Sequence, residues 1–174
     1  MSTERYPFHH VSEVDVRADA ARLFAHLDDH RQLAGHMQKP SLMMAGAVMR
    51  LQTDMLHGKA VGSLILVTGR VLGLDLRVEE VVIDRAPSLR KTWETVGDPR
   101  LLVIGRYRMG FSISPAGDRS HLTVFIDYQL PHTGLAAWLV LPFAKAYAAW
   151  CTSRMATDAA AAMARVPRAS PRAT

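Results

Sequence analysis

The spacing of apolar and polar positions changes period along the chain, and each change predicts an element. Val11-Ser12-Glu13-Val14-Asp15-Val16 alternates apolar and polar side chains, the pattern of a half-buried strand. From Ala20 the period lengthens. Leu23, Phe24 and Leu27 form a helical stripe with Arg22, His26 and Asp29 pointing outward, and Asp19 is placed to cap the start. Leu33 and Met37, four apart, predict a second short helix that ends near Lys39-Pro40, because the residue before a proline avoids helical angles.

Strand patterns then recur over 43–53, 61–71, 74–84, 90–96, 105–114 and 121–129. Turn chemistry separates them at His57-Gly58, Gly73, Ala86-Pro87-Ser88, Gly97-Asp98-Pro99 and Pro115-Ala116-Gly117-Asp118. Short turns of this kind join antiparallel neighbours, so a seven-stranded meander is expected. Pro131 and Thr133 introduce a final helix, and Pro142 predicts a kink or a fresh start within it. Beyond Pro142, Phe143, Tyr147, Cys151, Met155, Ala159 and Met163 recur at steps of four, with Trp150 beside them. Residues 142–165 as a helix would run about 36 Å, the width of a whole domain.

Composition bounds the function. The 174 residues are 49% hydrophobic, enough for one domain with a core and apolar surface left over for a ligand. The net charge of +5 is misleading, since Arg165, Arg168 and Arg172 lie in the last ten residues. The rest carries 18 basic and 16 acidic side chains with no basic stripe, so no nucleic-acid partner is expected. Cys151 is the single cysteine, which excludes an internal disulfide and suits a reducing compartment. Met1 to His10 lacks the apolar run of a secretory signal. Gly134 to Cys151 is interrupted by Pro142 and Lys145, so no transmembrane segment is expected. These features predict a cytoplasmic domain over 9–165, with a short tail before it (1–8) and a disordered basic tail after it (166–174).

Several residues are candidates for chemistry. His26 and His30 stand at metal-holding helical spacing, but Leu27 occupies the position where a zincin carries Glu, and no third ligand is indicated. They read as a solvated helix face, and no metal is expected. His36 and His57, near ends of elements, are candidate acids or bases. Glu79 and Glu80 occupy consecutive strand positions, so one must face inward. Glu80 is in phase with Val78 and Val82, and Arg77, Arg106 or Arg108 on a neighbouring strand is its expected partner. Asp127 and Tyr128 on the last strand complete the candidate catalytic set. No nucleophile elbow, phosphate loop, dinucleotide fingerprint or Cys/His metal spacing is present, which disfavours hydrolase, kinase and dehydrogenase functions, and no cofactor is expected.

The run Val14 to Phe24, the segment Glu79 to Pro87 with the following Lys91-Thr92-Trp93-Glu94-Thr95, and the final helix around Tyr147-Ala148-Ala149-Trp150 together resemble the START-like, or SRPBCC, superfamily. That superfamily has the helix-grip fold and includes birch-pollen-allergen-type proteins and a polyketide cyclase/dehydrase-like group. The resemblance implies an α+β fold in which a seven-stranded antiparallel sheet curves round a long C-terminal helix, with two short helices after the first strand. It also implies a deep cavity between sheet and helix for an apolar or amphipathic small molecule such as a lipid, quinone or polyketide.

The residues agree with a lined cavity. Tyr107, Met109, Phe111 and Ile113 share one strand face, with Arg106, Arg108 and Ser112 on the other. Trp93, Tyr107, Met109, Phe111, Tyr147, Trp150, Cys151 and Met155 are the expected lining, and Arg108, Glu80 or Tyr128 the expected polar anchors. Nine methionines suit a pocket of adaptable shape. Binding of a hydrophobic small molecule is the leading reading. A cyclase/dehydratase-type enzyme using a pocket acid or base and a protein-interaction module with a filled core are the alternatives. The runs Ser63 to Val67 and Leu101 to Ile104 are apolar without alternation. They either cover each other, form a homodimer contact, or dock on a membrane surface.

Overall fold

Alternating strands take up most of the chain between two helical ends. The computed structural model describes residues 5–33, 49–71, 73–131 and 134–165. β1 (Phe8–Val16) leads into α1 (Ala20–Asp28) and α2 (His30–Leu33). β2 (Met49–Thr53), β3 (Leu64–Val71), β4 (Leu74–Ala86), β5 (Arg90–Arg100), β6 (Tyr107–Ala116) and β7 (Arg119–Tyr128) follow, and α3 (Leu135–Arg165) closes the series. All pairings are antiparallel in the order β1-β7-β6-β5-β4-β3-β2. β2 to β7 form the expected meander, and β1 returns along the far edge of β7. α3 packs against β1 and β7. This is the α+β fold class expected from the element order.

Local chemistry explains the elements. The Asp19 side chain accepts a 2.9 Å hydrogen bond from the Arg22 backbone N–H, which caps α1. Leu23, Phe24 and Leu27 are buried against the sheet, and Phe24 meets Phe111 edge-on at 5.8 Å. On β4 to β7 the inner face carries Val78, Val82, Trp93, Tyr107, Met109, Phe111, Leu122, Val124 and Ile126, all buried. At Gly110 a Cβ would lie 2.6 Å from the Lys91 carbonyl oxygen and 2.9 Å from the Phe125 ring, so only glycine lets β5 and β6 approach there.

The structure departs from the sequence expectations in four places. On β1, Val11 is exposed, whereas His10 and Ser12 face α3. His10 Nδ1 and Ser12 Oγ lie 3.1 and 2.8 Å from Thr152 Oγ1, so a polar seam joins β1 to the helix. Gly97-Asp98-Pro99 is not a turn between strands. Gly97, at φ 66°, sits in a shift of register between Arg77/Arg100 and Glu79/Val96, and β5 runs on to Arg100.

The two unbroken apolar runs each split between core and surface. Ile65, Val67 and Ile104 are buried, and Leu64 and Leu102 are exposed. Finally, α3 is one helix with Pro142 inside it. Its buried line runs through Ala144, Ala148, Cys151, Met155, Ala159 and Met163, while Phe143 is 65% exposed. Each step of four residues over-rotates a 3.6-residue helix by about 40°, so three steps back from Met155 carry Phe143 off the buried face.

His36, Met37, the first part of the expected 43–53 strand and residues 166–174 lie outside the described residues. Among those described, no helix is long and apolar enough to cross a membrane.

Candidate functional site

The inner faces of β2 to β7 meet α2 and α3 around a cavity. Leu51, Val67, Glu80, Trp93, Tyr107, Met109 and Ile126 line it from the sheet, Ile104 from the loop before β6, His30 and Leu33 from α2, and Tyr147, Cys151 and Met155 from α3. Its water-accessible space is about 40 Å³, room for a few water molecules. Ligand pockets are commonly several hundred Å³. The cavity is therefore much smaller than the deep one implied by the resemblance, and the flexible side chains of Met109 and Met155 lie in its wall.

One carboxylate enters this apolar space. Glu80, 5% exposed, faces inward with Val78 and Val82, as their phase on β4 predicts. The Tyr107 hydroxyl donates a hydrogen bond to Glu80 Oε1. Burial disfavours the charged form and pushes Glu80 up to about 7, with hydrogen bonds from Tyr107 and Trp93 and the charge of Lys91 acting in the opposite direction. The arginines proposed as its partners are engaged elsewhere. Arg77 pairs with Glu79, Arg106 with Asp98 and Arg108 with Asp127, all away from the cavity. Alternation decides this for Arg77 and Arg108, each out of phase with the inward set on its own strand, while Arg106 precedes β6.

A second buried polar group shares the strand face of Trp93, and its partners were not legible in the sequence. Lys91, fully buried on β5, donates to the Asp28 carbonyl oxygen at 2.8 Å, to Asp28 Oδ1 at 3.0 Å and to His30 Nδ1 at 3.2 Å. Arg85 closes the network with a bidentate contact to Asp28 at 3.0 and 2.7 Å. His30 is 3% exposed, which corrects its reading as a solvated residue. Helix α1 stops at Asp28 and Asp29 is extended (φ −80°, ψ 104°), so His30 opens a new helix and does not share a face with His26. Its ring meets Trp93 edge-on at 4.8 Å. Burial, then the adjacent Lys91 charge, hold it down at about 3, and Asp28 only partly counters them. His30 is therefore a neutral imidazole at physiological pH. Cys151 is pushed up to about 12 by burial and by Glu80, so its thiol stays protonated. Among the described residues no group of three or more His, Cys, Asp or Glu side chains has metal-holding geometry.

No family model matches the chain, and no curated protein matches it in sequence. Solved structures do. The Zhui aromatase/cyclase from a Streptomyces species superposes with a TM-score of 0.69 at 13% identity, covering 93% of this chain and 96% of that one. Truncated norcoclaurine synthase from Thalictrum flavum superposes with a TM-score of 0.62 at 15% identity, covering 92% and 95%. Ara h 8.0201 superposes with a TM-score of 0.61 at 10% identity, covering 91% and 99%.

The chain has the START-like helix-grip fold.

Within this helix grip the residues singled out from the sequence separate. Trp93, Tyr107, Met109, Tyr147, Cys151, Met155 and Glu80 come together around the cavity. Phe111 is buried against Phe24 and does not reach it. Trp150 lies beside Tyr147 on the helix, at 5.9 Å between ring centroids, outside the lining. Arg108 and Asp127 pair with each other on the outer face, where His9 Nδ1 also meets Asp127 at 2.6 Å. Tyr128 faces inward but stacks on Phe8 at 5.5 Å, beyond the cavity wall. His57 is an exposed turn residue at φ 55°, and His36 lies outside the described residues. Of the cavity residues, the one that sequence reasoning had placed on a solvated face is His30. Its only local signal was the Asp28-Asp29 pair before it, which can end one helix and start another.

Proposed function

We propose that this helix-grip chain binds an apolar or amphipathic small molecule between sheet and C-terminal helix, oriented by the few polar groups of the cavity wall. The observation that carries this reading is the composition of the cavity wall. Trp93, Tyr107, Met109, Tyr147 and Met155 supply apolar and aromatic surface, and Glu80 and His30 supply the polar groups. Burial of apolar area drives such binding at roughly 25 cal/mol per Å², and a few polar groups set orientation. On this reading the small cavity widens to admit the ligand, and the unbranched thioethers of Met109 and Met155 in its wall can change rotamer at low cost. The test is native mass spectrometry of freshly purified protein, followed by titration with aromatic ketones, quinones and fatty acids. A retained or titrated ligand that is lost on Met155→Trp supports the reading. A protein that retains nothing and binds none of the three classes overturns it.

One observation favours a second reading, a cyclase- or dehydratase-type enzyme. Glu80, held near 7 by burial, is tuned to the range in which a general base works best at neutral pH. On this reading Glu80 takes a proton from a bound carbonyl compound, and Tyr107 keeps the carboxylate oriented. The similarity to an aromatase/cyclase and to norcoclaurine synthase is consistent with chemistry in the cavity, though at this identity it establishes the fold alone. Glu80→Gln separates the two readings. It leaves ligand retention in place and abolishes turnover if the base is real.

A further inference from the structure

Glu80 accounts for one end of the cavity, and one polar atom remains over. His30 Nε2 is buried and has no hydrogen-bond partner among the described residues, the single such side-chain atom there. Burial of a donor without a partner costs about 1–3 kcal/mol. The atom's chemistry follows from its neighbour. An ammonium has three donors and no acceptor, so Nδ1 of His30, 3.2 Å from Lys91 Nζ, must accept. The single imidazole proton then sits on Nε2, which becomes a donor only. Lys91 is held in turn by Asp28, and Asp28 by Arg85, so the tautomer is set by a network that reaches from the surface to the cavity.

Packing fixes the ring as well as the proton. A Cβ at Gly58 would lie 3.2 Å from His30 Nδ1, and Trp93 stands edge-on to the ring on another side. A ring held from two sides presents its remaining nitrogen in one direction.

We infer that His30 Nε2–H is the ligand's polar anchor, and that the ligand presents to it a neutral oxygen acceptor, a ketone- or quinone-type carbonyl. This rests on the proposed binding in the cavity and narrows its ligand class. A donor-only atom rejects ammonium and other donor groups. A carboxylate or phosphate ligand would bring a second acidic group into the cavity that holds Glu80, where burial disfavours its charge as it disfavours that of Glu80. A carbonyl on an aromatic frame satisfies Nε2 and leaves its carbon skeleton to Trp93, Tyr107 and Tyr147. With the oxygen at His30, the ligand's adjoining carbons lie in the same small space as the Glu80 carboxyl.

The test compares 2-acetylnaphthalene with 2-ethylnaphthalene, two probes of nearly equal shape that differ in the carbonyl, by tryptophan fluorescence titration. The wild-type protein is expected to bind the ketone about tenfold more tightly, the worth of one satisfied buried donor. His30→Asn places an amide oxygen where Nδ1 accepts from Lys91 but has nothing at Nε2, and is expected to lose the preference while still binding the hydrocarbon. His30→Gln places an amide N–H near the Nε2 position and is expected to regain part of it. A merely structural His30 would change both affinities together in His30→Asn. Equal wild-type affinities for ketone and hydrocarbon overturn the carbonyl inference and leave the binding reading intact. Binding of neither overturns both.

Discussion

Lys91 Nζ stands 3.2 Å from Nδ1 of His30, two residues 61 apart in the chain and both buried. One is a cation taken out of water, and the other is an imidazole kept neutral beside it. The pair is tolerated because Asp28 supplies the counter-charge at 3.0 Å.

Lys91→Met tests that balance. It leaves Asp28 facing Arg85 alone and deprives His30 Nδ1 of its donor. A loss of about 3–5 kcal/mol is expected in urea unfolding. The His30 titration, followed by nitrogen NMR, should move upward because the nearby positive charge is gone, yet stay below the ordinary value because burial remains.

Glu80 makes stability depend on pH with an identifiable sign. Its folded-state value of about 7 lies above the unfolded value of 4.5, so the folded chain holds a proton that the unfolded chain releases. The stabilisation is complete below pH 4.5 and is lost as pH rises through 7, in total about 3 kcal/mol. Glu80→Gln removes the dependence. Its stability relative to wild type should rise by about that amount between pH 4 and pH 8. A constant difference across the range would show that Glu80 ionises normally.

His30 acts in the opposite direction. Its folded value of about 3 lies below the unfolded 6.5, so its contribution is complete above 6.5 and lost as pH falls toward 3. The His30→Asn variant should therefore unfold less steeply on acidification than the wild type, as read by circular dichroism between pH 7 and pH 3. The same slope in both proteins would place the acid sensitivity elsewhere.

Tyr107→Phe removes the hydroxyl that donates to Glu80. That bond favours the charged carboxylate, so its loss should raise the Glu80 titration further. Carbon-detected NMR of the side-chain carboxyl reads the shift directly, and a downward movement would contradict the assigned role of Tyr107.

Gly110→Ala probes the approach of β5 and β6. A methyl 2.6 Å from the Lys91 carbonyl oxygen forces the strands apart beside the buried network. A cost of about 1–3 kcal/mol is expected in thermal or urea unfolding. Full stability would mean that the two strands can separate freely at this point.

How much of this was written in the chain follows from what each residue senses. Period-two and period-3.6 patterns are local, so the sequence by itself determined the order of elements, the inward phase of Glu80 beside Val78 and Val82, and the shared face of Tyr107 and Met109, while the helix-grip fold followed from the family resemblance. Departures from those patterns were decided by tertiary contact. Phe143 left the stripe because the helix does not repeat every four residues, and Gly97 stayed within a strand because β4 pairs with both of its sides. Phe111 and Tyr128 share the inward phase of the lining, yet Phe111 packs against Phe24 and Tyr128 stacks on Phe8 of the neighbouring strand. The polar half of the site was the least legible. Lys91, Asp28, Arg85 and His30 come from four elements, and nothing local in the sequence brings them together. Only when β5 and the end of α1 come together do their charges meet, and that meeting leaves one buried imidazole nitrogen without a partner on a residue of the cavity wall.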